Sequence, residues 1–123
     1  MNAERLLKLA DALEKPMPSG FRFHFAYYHR EAHCGTLGCA IGLCPFVFPE
    51  EWERREDGFP YLIGEDYVWN SGIKFFELSE RDYSRLFEPT ESPFEGWLDR
   101  DASATEVAAN IRAFVASKTK VPA

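Results

Sequence analysis

The chain has 123 residues, 46% of them hydrophobic, 15% aromatic and 28% charged, with a formal net charge of -6. That length suits one compact domain spanning residues 1–123, and the aromatic content excludes a disordered polymer. The acidic balance removes the attraction on which nucleic-acid and anionic-membrane binding depend, and the only adjacent cations, Arg54 and Arg55, are bracketed by Glu53, Glu56 and Asp57.

In chain order, the first expected element is an amphipathic helix from Asn2 to about Glu14. Leu6, Leu9, Ala10 and Leu13 recur at helical spacing, Asn2 is a suitable N-cap, and Pro16 stops the run. Glu4, Asp11 and Glu14 break any apolar stretch of the kind a secretory signal needs, so a soluble, cytoplasmic protein is expected. After a turn at Pro16–Gly20 the period changes to two. Phe21, Phe23, Phe25 and Tyr27 then share one face of a strand, with Arg22, His24, Ala26 and Tyr28 on the other.

Residues 32–49, AHCGTLGCAIGLCPFVFP, contain no Asp, Glu, Lys or Arg and hold all three cysteines. Such a tract belongs inside a domain. It reads as a loop through Cys34 leading into a buried central helix, with Thr36 as a capping hydroxyl, Gly38 and Gly42 forming a smooth strip, and Pro45 ending or kinking the run. Pro49-Glu50-Glu51 reads as the start of a short exposed helix reaching about Arg55. Between Gly58 and Asn70, Tyr61-Leu62-Ile63 and Tyr67-Val68-Trp69 are separated by Gly64-Glu65-Asp66, which suits either a small hairpin or an irregular loop.

Three helices close the chain. The first runs from Ser71 to about Leu78, with Ile73, Phe76 and Phe75 as its candidates for burial. A second, carrying Tyr83, Leu86 and Phe87, begins at Ser79 and ends at Pro89. Ser103-Ala104-Thr105-Glu106 is a capping box before Val107, Ile111, Phe114 and Val115. The expected class is α+β: a mainly helical single domain with one or two short strands packed on the buried central helix.

For chemistry, Cys34 is the candidate nucleophile. A thiol at a helix N-terminus has its thiolate stabilised by the partial positive charge there. His24 or His33 would serve as base, and amides near Thr36 to Gly38 would hold an oxyanion. The competing reading is a small apolar residue in a tight turn. His29, His33, Cys34, Cys39 and Cys44 lie close together in sequence, but cysteines spaced by five turn away from one another on a helix, so no metal site is expected. Three cysteines cannot all pair within one chain, which favours reduced thiols. The chain holds no G-x-x-x-x-G-K-[ST], G-x-G-x-x-G or G-x-S-x-G, so no cofactor is expected and serine hydrolysis has no support. Trp52, Trp69 and Trp97, each beside polar residues, either anchor loops to the core, the commoner case, or contribute to a binding patch, for which Trp69 is the one to watch.

At Cys34-Gly35-Thr36-Leu37-Gly38-Cys39-Ala40-Ile41-Gly42 the chain resembles a set of small uncharacterised bacterial and phage proteins that carry C-G-T-x-x-C-x-x-G. Looser counterparts are Phe75-Phe76-Glu77-Leu78, Leu86-Phe87 and Val107-Ala108-Ala109-Asn110-Ile111, and the likeness covers the chain from about residue 28. Ile41 replaces a common Ala and Glu77 a common Gly. The resemblance implies a shared fold and brings no activity with it. The expectation that follows is a protein-interaction or accessory, regulatory module, with a thiol-dependent hydrolase or transferase using Cys34 as the alternative.

Overall fold

The computed structural model describes residues 1–19, 21–25, 30–32, 35–89, 97–99 and 102–119. The elements are α1 (Ala3–Leu13), β1 (Phe21–Phe23), β2 (Arg30–Ala32), β3 (Gly35–Gly38), α2 (Ala40–Val47), β4 (Trp52–Arg54), β5 (Pro60–Leu62), α3 (Val68–Phe76), α4 (Glu80–Phe87) and α5 (Ala104–Thr119). The fold is α+β and mainly helical, as expected. Its strands are short but number five among the described residues.

Helix ends follow local chemistry closely. Asn2 caps α1 by accepting a hydrogen bond from the Arg5 amide at 3.0 Å. Ser79 caps α4 through the Asp82 amide, 3.1 Å away. The capping box before α5 is complete: the Glu106 amide donates to Ser103 Oγ at 3.1 Å, and the Ser103 amide donates to Glu106 Oε1 at 3.2 Å. Helix α5 packs most extensively on α1. Leu6, Leu9, Ala10 and Leu13 are buried on one helix, and Val107, Ala108, Ile111, Phe114 and Val115 on the other. On the outer side of this pair Arg112 reaches both Asp11 and Glu14.

The first sheet has the order β1-β3-β2. Strand β3 runs parallel to β1, with Phe21 opposite Thr36 and Phe23 opposite Gly38, and antiparallel to β2, with Ala32 opposite Gly35. Residues expected to lead into the central helix therefore form a central strand. Two glycines around Thr36-Leu37 are poor helix formers, and backbone ladders on both sides supply what a helix there would not. The expected Gly38–Gly42 helix strip does not form, because Gly38 ends the strand. Helix α2 begins at Ala40 and is buried from Ala40 to Cys44. Pro45 lies inside it, one turn from the end, rather than terminating it. The loss is confined to one amide, and the helix closes with the Phe48 amide donating to Cys44 O at 2.7 Å.

The helix expected from Glu50 to Arg55 is absent. Trp52–Arg54 pairs antiparallel with Pro60–Leu62 as a hairpin, with Trp52 opposite Leu62. Burial of Trp52 decides this: its indole stacks edge-on against Phe75 with centroids 5.6 Å apart. Tyr67-Val68-Trp69, expected as a hairpin arm or part of an irregular loop, instead leads into α3, which starts three residues before Ser71. In that helix Phe75 and Phe76 are buried and Ile73 only partly so.

Helices α3 and α4 approach closely at Gly72, where an added Cβ would overlap the Tyr83 ring. Glu77 follows α3 with φ 54°, in the left-handed region, and the Leu78 amide reaches back to Ile73 O at 3.0 Å. This is a Schellman closure built on a residue other than glycine. The Phe48, Phe75 and Phe76 rings meet at its core side, with Phe48–Phe75 centroids 4.7 Å apart.

Candidate functional site

Cys34 and His33, together with His29, lie outside the described residues. The elements around them are informative. Helix α2 starts at Ala40, six positions after Cys34, and Gly35–Gly38 between them is strand β3. The N-cap position belongs to Cys39. With a partner strand on each side, the amides from Thr36 to Gly38 serve the sheet rather than an oxyanion. His24, half-buried, follows β1 one step past the Phe23–Gly38 pair. That places it at the Cys39 end of β3.

The two described thiols are free and buried. Burial pushes the Cys39 thiol up to about 11, against the opposing pull of the Gly42 and Ile41 amides at the start of α2. Desolvation therefore outweighs the helix terminus. Burial also raises Cys44 well above its ordinary value, with Cys39 nearby adding to the shift, and its Sγ donates to Ala40 O at 3.6 Å. Both are protonated at neutral pH and act as core side chains. Among the described residues no three His, Cys, Asp or Glu side chains gather as a metal site.

The surface is more telling between β4 and the start of α3. Residues 50–70 carry seven acids and two arginines, a net -5 out of the chain's -6. Within this segment Ile63 is 56% exposed, Tyr67 68% and Trp69 36%. These side chains sit on a braced frame. Ser71 Oγ, fully buried, accepts from the Leu62 amide at 3.0 Å and donates to Tyr67 O at 2.8 Å, tying the end of β5 to the head of α3. Arg55 stacks on Tyr61 with its guanidinium 4.1 Å from the ring centroid, and binds Glu53, Glu65 O and Asp66. Tyr61 donates to Asp57 at 2.6 Å, which raises the phenol's pKa. Lys74 pairs with Glu65 at 3.2 Å beside a depression of about 280 Å³ lined by Glu65, Asn70, Ile73 and Lys74.

Trp69, the indole to watch for a binding patch, has its ring exposed on one side and packed edge-on to Tyr83 on the other, centroids 6.2 Å apart. Ile63 and Tyr67 fall in a segment that suits a hairpin or an irregular loop equally, which gives no sign of their exposure. The available signal was an acidic turn, Gly64-Glu65-Asp66, between apolar residues. Trp52 anchors the hairpin to the core, and its Nε1 is buried with no hydrogen-bond partner among the described residues.

A second groove, about 300 Å³, lies between α1, the Pro16–Pro18 turn and the end of α2. Its charges are mixed, Lys8 and Lys15 with Asp11, and Asp11 is already engaged by Arg112. No helix among the described residues is long and apolar enough to cross a membrane. No family model matches the chain, and neither the curated proteins nor the solved structures contain a match.

Proposed function

We propose that this protein works by binding another protein, as an accessory or regulatory module without catalysis of its own. The observation that carries this reading is the exposure of Ile63, Tyr67 and Trp69 together on one braced hairpin–helix junction. Large apolar side chains held in water by a rigid frame favour association, because little ordering remains to be done when a partner arrives. Aromatic anchors of this type dominate binding energy at protein interfaces. Free thiols at Cys39 and Cys44 support a reducing compartment such as the cytoplasm.

The test is affinity capture with the wild-type chain, Tyr67→Ser and Ile63→Ser, all verified as folded. A specific partner retained by the wild type and lost with both variants supports the reading. Equal recovery with all three chains removes this face from the interface.

A further inference from the structure

The charge around the exposed aromatic face says what kind of partner fits it. Glu50, Glu51 and Glu56 have no ion-pair partner among the described residues, whereas Glu53, Glu65 and Asp66 are engaged by Arg55 or Lys74. Glu51 borders Ile63, whose amide donates to Glu51 O at 2.9 Å, so the exposed apolar residues lie in a segment that carries uncompensated negative charge. Beside it, the depression over Ile73 offers room for an apolar side chain, with Trp69 one helical turn away on the same side of α3.

A second copy of the chain is a poor occupant, since face-to-face contact would bring two net charges of -5 together. Anionic lipid and nucleic acid are repelled for the same reason. We infer that Ile63, Tyr67, Trp69 and the adjoining depression receive a Lys/Arg-rich amphipathic segment of a partner protein, its apolar side chains entering over Ile73 and its cations meeting Glu50, Glu51 and Glu56. This inference rests on the docking role proposed for that face. Charge complementarity of this sort speeds encounter and selects the partner, while the apolar contacts hold the complex together.

The experiment titrates the full isotope-labelled chain with a short amphipathic lysine–leucine peptide and follows backbone amide shifts. Two control peptides are used, one of the same composition with its leucines scattered and one with glutamate in place of lysine. The expected result is saturable shifts within residues 50–74, with affinity falling roughly fivefold or more as salt rises from about 50 to about 200 mM. Tyr67→Ser should weaken binding at least about fivefold, and combined Glu50→Gln, Glu51→Gln and Glu56→Gln should flatten the salt dependence. Equal binding of the scattered peptide or the glutamate peptide, or shifts mapping elsewhere, would overturn the inference. A natural partner captured through Tyr67 whose affinity ignores salt would also overturn it, while leaving the docking role standing; failure to capture any partner at that face would remove the docking role itself.

Discussion

Asn2 and Glu77, 75 positions apart, close the two ends of the helical layer on each other: Asn2 Nδ2 donates to Glu77 Oε2 at 3.0 Å, and the Asn2 amide donates to Phe76 O at 2.8 Å. The same Asn2 side chain caps α1, and Arg5 donates to Phe75 O at 2.8 Å while lying over the Phe75 ring. One residue therefore terminates α1 and helps satisfy the end of α3. Replacing Asn2 by Ala removes the cap and the cross-contact, and is expected to cost about 1–2 kcal/mol in urea unfolding. Glu77→Gly relieves a left-handed backbone worth about 1 kcal/mol but forfeits an exposed hydrogen bond, so it should be neutral to slightly stabilising. Strong destabilisation by Glu77→Gly would mean that the carboxylate, and not the turn, is what matters there.

Gly72 is required by the α3–α4 approach. Gly72→Ala gains about 1 kcal/mol of helix propensity, yet its methyl must displace the buried Tyr83 ring. Overpacking of this sort costs about 1–3 kcal/mol, so net destabilisation is expected by calorimetry. A stabilised variant would show that the two helices separate freely.

Ser71→Ala leaves the partly buried Leu62 amide without its hydroxyl partner, while the Tyr67 carbonyl keeps only the Ser71 amide. The expected loss is about 1–3 kcal/mol, with local amide exchange rising fastest at the β5–α3 junction. Uniform exchange changes across the chain would contradict the assignment of Ser71 as the brace of that junction.

The buried thiols predict a loss of stability in alkali. Their folded pKa values exceed the ordinary thiol value of 9.0, reaching about 11 at Cys39, so the unfolded chain releases protons first as pH rises. Stability is therefore full below about pH 9 and falls as pH climbs towards about 11. Cys39→Ser, which places a good N-cap hydroxyl at the start of α2, should reduce that slope. Iodoacetamide at neutral pH should leave Cys39 and Cys44 intact in the folded chain and modify both in denaturant. Rapid alkylation of Cys34 alone near pH 6 would favour the thiol-enzyme alternative; resistance would dismiss it.

What could be read from the sequence follows the range of the forces involved. The caps at Asn2, Ser79 and Ser103 and the buried stripes of α1 and α5 depend on residues a few positions apart, and all were legible. Strand β3 was not: one partner, Phe21–Phe23, lies more than ten positions away, the nearer one, Arg30–Ala32, carries no strand pattern of its own, and local propensity says only that a helix is disfavoured. Glu50-Glu51 imitated a helix start, whereas burial of Trp52 against Phe75 drew the following residues into a strand. Trp69 stood out as an indole beside polar residues. The exposure of Ile63 and Tyr67 was hidden, because residues 58–70 suited a hairpin or an irregular loop equally and α3 begins earlier than Ser71.

A photo-crosslinking side chain placed at Tyr67, with a second chain labelled at the exposed Ala109 of α5 as control, tests the docking role most directly. In extract of the source organism, one protein adduct of defined mass at Tyr67 and none at Ala109 is the predicted result. No adduct at Tyr67, or the same adducts from both positions, would contradict it.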